Sequence, residues 1–250
     1  MKTPLPSINI ESIYFKDEKR LPLPKRMAQC TPDTQDALIA IGKAVEKKGG
    51  HLYLSDLFRS YEMQLQSHLD FKSGKKKAFS PPPGGSMHEA GRAFDLDLDN
   101  LKIKLADFWE IGKKFGVFPI IDKPTAGKSE SWHFDCRGSH QKVYEYYSTG
   151  KGKNMKPYTA MSASGILSIG VKVDAFGKKQ SDAAFQAGLI RLGFELGSVD
   201  GDVGQKTRAA LDKAGIAWTN VEEVLLNVEN QLKEKYPTEF EVMLFDGDIP

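Results

Sequence analysis

The residues best suited to chemistry fall in two short segments. Ser86-Met-His-Glu-Ala-Gly-Arg-Ala-Phe-Asp95 sets an imidazole at the end of a loop and a carboxylate inside the alternating stretch that follows. Glu130-Ser-Trp-His133 adds a second imidazole with a carboxylate at the head of the same tetrapeptide. Imidazole nitrogens and carboxylate oxygens are ordinary zinc ligands, and a catalytic zinc takes three protein ligands and keeps one position open. His88, Asp95 and His133 supply that set. Glu130 is left over as a general base, able to take a proton from the attacking water and return it to a leaving amine.

Each piece alone has a plainer reading, since a lone His is more often structural and an Asp on a polar strand face is usually solvated. Together they form Ser-x-His-x-x-Gly-x-Ala-x-Asp followed by Glu-x-x-His. If each of the five fixed positions of the first motif is matched roughly one time in twenty, a chance hit in the chain is on the order of one in ten thousand. The pattern resembles the zinc D-Ala-D-Ala carboxypeptidase and dipeptidase family, the VanX and VanY group. The resemblance runs from about Lys25 to Tyr147 and implies that His88, Asp95 and His133 bind Zn2+, with Glu130 as catalytic base. It also implies that Arg59, from Phe58-Arg59-Ser60, steadies the oxyanion, a task suited to a guanidinium aimed at developing negative charge. Ser86 is read as a substrate contact or as a support for its loop, and Trp132 as pocket wall or core. The implied fold is a small α+β domain on an antiparallel sheet. Relatives that cut between L-Ala and D-Glu tend to carry Asp-x-x-His, so Glu130-Ser-Trp-His133 tilts the bond choice toward D-Ala-D-Ala.

The elements that must position these residues are partly visible. Thr31-Pro32-Asp33 reads as the cap and first turn of a helix carrying Leu38, Ile41 and Val45 and closing at Gly49-Gly50. His51 to Phe58 alternates as a strand that delivers Arg59, and a helix follows from Tyr61 to Phe71. The lysines and prolines of 73–85 form a loop. Arg92 to Asp99 alternates strictly, with Phe94, Leu96 and Leu98 on one face and Asp95, Asp97 and Asp99 on the other. Leu105 to Phe115 is helical, and Trp132 to Phe134 is a short strand. Strands and helices without a βαβ rhythm indicate an α+β fold.

Residues 1–150 are thus read as the peptidase domain, 151–164 as a Gly- and Ser/Thr-rich linker, and 165–250 as a helical domain. In that last part, Phe185-Gln186, Leu192-Gly193-Phe and Gly197-Ser-Val-Asp-Gly-Asp-Val-Gly-Gln-Lys-Thr-Arg-Ala-Ala-Leu211 resemble the three-helix peptidoglycan-binding domain. Helices are expected at Ala184–Leu192, from Thr207, and at Val221–Lys235. Because every metal ligand and the base precede the linker, removal of the region beyond about Ser164 is expected to spare cleavage of small peptides.

Composition bounds the rest. The chain has 250 residues, 40% hydrophobic, and a net charge of only +2. No basic stripe marks a nucleic-acid partner, and no apolar run is long enough for membrane insertion. Met1 to Arg20 lacks the apolar core of a secretory signal, so synthesis in a host bacterial cytoplasm and action at the wall or periplasm are expected, as for a phage endolysin. The partner is then bacterial peptidoglycan, met by a monomer. Cys30 and Cys136 are either buried reduced thiols or, outside the cytosol, a disulfide. His51, His68 and His140 lie outside both motifs and are read as structural or solvated.

Overall fold

The computed structural model describes residues 2–242 and Ile249. The strands form a six-stranded sheet in the order β2-β1-β3-β4-β6-β5, built from β1 (Glu11–Lys16), β2 (Lys19–Pro22), β3 (Leu54–Asp56), β4 (Ala93–Leu96), β5 (Val117–Pro119) and β6 (His133–Cys136). Neighbours run antiparallel except β1 and β3, which pair parallel through Ser12 and Leu54. The sheet is therefore mixed within the expected α+β class. The β1–β2 hairpin turns at Asp17 and Glu18, both at positive φ. Asp-Glu is not a residue pair that advertises such a turn, so the hairpin was not foreseen.

Helix α1 (Pro32–Glu46) begins with Pro in its first turn, buries Leu38, Ile41 and Val45, and packs on α3 (Leu105–Lys114). Together with Phe94, Phe108 and Phe134 these residues build the core of the N-terminal half. Cys30 and Cys136 are buried free thiols in that core, and burial pushes the Cys136 thiol up to about 12. Helix α2 (Tyr61–Lys72) is capped by Ser60, whose hydroxyl accepts from Met63 N at 3.3 Å.

The stretch 151–164 departs from expectation, because Pro157–Ser168 is a helix, α5, and residues Ala160 through Leu167 are all buried. Its Ala, Ser and Gly residues resemble a linker in composition, but here small side chains let a helix be packed on every side. Gly165 shows how tightly: a Cβ there would lie 2.8 Å from the Cβ of Ala90. Helix α4 (Gln141–Ser148) precedes α5 and packs on it. Then come α6 (Gln180–Leu192), α7 (Gln205–Lys213) and α8 (Val221–Lys235). Between α6 and α7 the buried Gln186 holds the turn, accepting from Asp200 N and Gly201 N at 3.0 and 2.8 Å and donating to Asp202 O at 3.0 Å.

One hydrophobic cluster joins Ala90, Val143, Tyr146 and Tyr147 to the helices beyond residue 157. A buried ionic cluster joins the same halves: Arg92 donates to Asp33 at 2.6 Å and lies 3.5 Å from Glu239, which accepts from Arg191 at 2.5 Å. No helix among the described residues is long and apolar enough to cross a membrane. Positions 243–248 and 250, within the expected helical domain, lie outside the described residues.

Candidate active site

The first motif folds as a short turn feeding a strand. Met87–Ala90 is one turn of 3₁₀ helix closed by a capping box, in which Ser86 Oγ accepts from His88 N and the Glu89 carboxylate accepts from Ser86 N, both at 3.3 Å. The Ser86 hydroxyl is thus engaged in supporting the loop, while the residue still lines the cleft. Gly91 ends the turn in the left-handed region at φ 64, and a Cβ on it would meet Leu5 at 2.5 Å, so the motif needs glycine there. The chain then enters β4, where Asp95 sits directly opposite His133 on β6. Their predecessor and successor, Phe94 and Phe134, pair on the other face with ring centroids 5.8 Å apart in the core. Period-two alternation therefore sends the phenylalanines inward and Asp95 and His133 outward.

His88 Nε2, Asp95 Oδ1 and His133 Nδ1 meet at one point: the nitrogens are 3.2 Å apart, and Asp95 Oδ1 is 3.3 Å from His88 and 3.0 Å from His133. Ligand atoms around a tetrahedral zinc with ~2.0–2.1 Å bonds would stand ~3.3 Å apart. Each imidazole is fixed by its other nitrogen. His88 Nδ1 donates to Leu57 O at 2.7 Å, and His133 Nε2 donates to Asp135 Oδ1 at 3.0 Å. A carbonyl can only accept, so the proton of that bond sits on His88 Nδ1 and Nε2 is the nitrogen turned to the centre; such outer partners are how proteins orient metal-binding histidines. All three residues are buried. Although burial works against its charge, Asp135 and Asp95 push the His133 imidazole up to about 10. Burial alone would raise Asp95, but the two imidazoles hold it well below the usual carboxylate range. A pocket with two carboxylates around His133 calls for a cation, and these residues fit a zinc ion by number, donor type and spacing.

Arg59 follows β3 and donates to Asp56 at 2.6 Å and to Gln64 at 3.2 Å, with Nη2 3.4 Å from Asp95 Oδ2. Its backbone N–H donates to His88 O, which ties it to the ligand-bearing turn. Glu130 lies half-buried on the loop before β6 at φ 65, a left-handed conformation uncommon outside glycine. Burial raises its carboxyl pKa above the ordinary value, the direction a general base near neutral pH requires. Trp132 is half-buried on the cleft wall, and its carbonyl accepts from Leu96 N at 2.8 Å. The cleft measures about 740 Å³, and its lining includes Arg59, Ser86, Glu130 and the His88, Asp95 and His133 group. Of the remaining histidines, His51 stacks on Tyr53, His68 lies 2.8 Å from Ser80 O and His140 lies 2.9 Å from Ser164 Oγ.

No protein-family model matches the chain, and no curated protein matches it. Among solved structures the chain is similar to the LdcB LD-carboxypeptidase, with 20% identity and a TM-score of 0.40 over 52% of this chain and 66% of that one. It is also similar to DacB from Streptococcus pneumoniae D39, at 21% identity and TM-score 0.36 over 54% and 84% of the two chains. A third is the VanY D,D-pentapeptidase of a VanB-type resistance cassette, solved as a mutant in complex with Zn(II), at 18% and 0.35 over 58% and 89%. The chain thus spans slightly less than two thirds of LdcB and most of the other two.

Two site residues escaped sequence reasoning. Asp135 is signalled by its place two residues after His133 in a strand, which puts both on one face. Tyr158 carried no local signal, because it belongs to α5 and reaches the site only through the tertiary fold; its hydroxyl donates to Asp135 Oδ1 at 3.0 Å.

Proposed function

We propose that this protein is a zinc peptidase that hydrolyses peptide bonds of bacterial peptidoglycan, in stem peptides or cross-links of the D-Ala-D-Ala type. The observation that carries the reading is the meeting of three ligand atoms in a buried corner that opens on a cleft also lined by Glu130 and Arg59. A structural zinc needs neither a proton acceptor nor an unfilled approach, so this arrangement favours catalysis over metal-stabilised binding.

Zinc held by His88, Asp95 and His133 would act as a Lewis acid and lower the pKa of water in the site. Glu130, raised toward neutrality by burial, takes the proton of the attacking water and returns it to the leaving amine. The Arg59 guanidinium, held by Asp56 and Gln64, offers its remaining N–H groups to the oxygen that becomes negative at the tetrahedral stage. Leu57 O and Asp135 keep both imidazoles in the tautomers that face the centre. The cleft volume suits a short peptide segment, and the Glu-x-x-His form of the second motif supports cleavage at a D-Ala end. The C-terminal helices would supply affinity for the wall, and the whole would serve as a phage or prophage endolysin.

The deciding experiment is mass spectrometry of purified peptidoglycan incubated with zinc-loaded protein. Loss of a terminal D-Ala or conversion of cross-linked to uncross-linked fragments, blocked by a chelator and restored by zinc, is expected. Unchanged fragments from protein that holds one zinc per chain would overturn the proposal.

A further inference from the structure

Helix α5 borders the metal-ligand corner on the side opposite the sheet. Gly165 packs against Ala90 of the turn that carries His88, and Met161 forms a small buried cluster with Met87 and Ala93 of the first motif. Lys156, Tyr158, Thr159 and Ala163 line the cleft. Within that wall Tyr158 is singular. Its hydroxyl donates to Asp135 Oδ1 at 3.0 Å and stands 3.4 Å from His133 Nε2, while Asp135 Oδ1 also accepts from His133 Nε2 at 3.0 Å. Asp135 is fully buried, and its second oxygen makes no hydrogen bond among the described residues. The oxygen that orients His133 therefore depends on Tyr158 for its only other donor among the described residues.

We infer that Tyr158 is a positioning residue for the metal site: it fixes Asp135, Asp135 fixes the ring of His133, and helix α5, beyond the first 150 residues, is in this way part of the peptidase. This rests on the reading of His88, Asp95 and His133 as zinc ligands. Removing the phenol hydroxyl leaves Asp135 Oδ1 with one donor and frees the carboxylate to rotate toward Arg137, whose Nε lies 3.6 Å from Oδ2. His133 then loses part of the restraint that keeps Nδ1 on the centre. Outer partners of metal-binding histidines are worth about tenfold to a hundredfold in metal affinity, and a residue one bond further out belongs at the lower end.

The test measures metal binding directly. Tyr158→Phe, Asp135→Asn and the double variant are titrated with zinc against a competing chelator, and the Co(II)-substituted forms are compared by visible absorption. Tyr158→Phe is expected to weaken zinc binding by about tenfold and to shift the cobalt bands. In the Asp135→Asn background it should have almost no further effect, because it acts through that carboxylate. Ser162→Ala, on the same helix with a hydroxyl that has no partner, should match the wild type in both readouts. Wild-type affinity and spectrum in Tyr158→Phe would overturn the inference, as would effects of the two substitutions that simply add. If Tyr158→Phe fails to fold, Tyr158→His, which restores a donor on a shorter ring, must bind zinc more tightly than Tyr158→Leu, and equal affinities would overturn it too. Because these are binding measurements, a protein that holds zinc yet leaves peptidoglycan intact would end the peptidase reading without touching this one.

Discussion

Replacing Glu239 by Gln should destabilise the two halves of the chain together. Glu239 accepts from Arg191 at 2.5 Å and from Ser139 N at 2.6 Å, and lies 3.5 Å from Arg92. Arg92, Arg191 and Glu239 are exposed by 0%, 3% and 2%. With Asp33 on the far side of Arg92, the cluster holds two cations and two anions. The substitution keeps the shape but leaves a net positive charge where water does not reach. Breaking a buried pair from one side costs about 3–5 kcal/mol, against a total stability of order 5–15 kcal/mol for a typical domain. Urea unfolding of the zinc-saturated protein, followed by far-UV circular dichroism and tryptophan fluorescence, measures the loss. Trp109 and Trp132 report on the N-terminal half and Trp218 on the C-terminal half, so single-tryptophan versions separate the signals. The expectation is one shared transition that moves to lower urea by the full amount in both reporters. A loss under about 1 kcal/mol, or a shift confined to Trp218, would refute the argument that the seam is cooperative.

Three further outcomes follow from the same geometry. Glu130→Gln should retain zinc while hydrolysis falls by about a hundredfold to ten-thousandfold, measured as metal content and turnover on one preparation. Glu89, whose carboxyl burial pushes up to about 7 despite the N–H groups of Gly84 and Ser86, favours its neutral form in the fold. Its stabilising contribution is therefore complete below the unfolded value and disappears as pH rises through about 7. Zinc-free wild type should lose about 3 kcal/mol relative to Glu89→Gln between about pH 4, below the unfolded glutamate value, and about pH 8, by denaturant titration. Gly165→Ala places a methyl 2.8 Å from the Ala90 Cβ; the overpacking should cost about 1–3 kcal/mol in unfolding free energy and weaken zinc binding, and an unchanged melting curve would contradict the packing described.

Much of the site was legible because its parts are close in sequence and governed by short-range rules. Alternation in Ala93-Phe-Asp-Leu and His-Phe-Asp-Cys136 fixes which side chains face the cleft, and the Ser86 to Gly91 turn carries its own cap and its own obligatory glycine. The start of α1 was marked by Thr31-Pro32-Asp33 for the same reason. What could not be read was set by tertiary packing. A run such as Ala160-Met-Ser-Ala-Ser-Gly165 is poor in large apolar residues, and only the presence of Ala90 and Met87 on the other side turns that poverty into close contact. The partnership of Tyr158 with Asp135 spans 23 positions, with no periodicity to announce it.

That difference bears on how the proposed peptidase would work on its substrate. A wall-binding module on a flexible linker raises the local concentration of a cutting domain over the range the linker can sweep. Here the part of the expected linker from Pro157 on belongs to a helix that borders the cleft and reaches His133 through Asp135, while Arg191 and Glu239 lock the following helices to Arg92 of the first motif. If the C-terminal helices hold peptidoglycan, the scissile bond is presented at a fixed offset from the anchoring point, because a shared hydrophobic cluster and the buried Arg92–Glu239–Arg191 contacts join the halves. Cleavage should then depend on the spacing between the anchored strand and the stem peptide, and inserting a flexible segment after Ser168 should reduce hydrolysis of intact walls instead of extending its reach. A gain in wall hydrolysis from such an insertion would mean that the two halves act as tethered units after all.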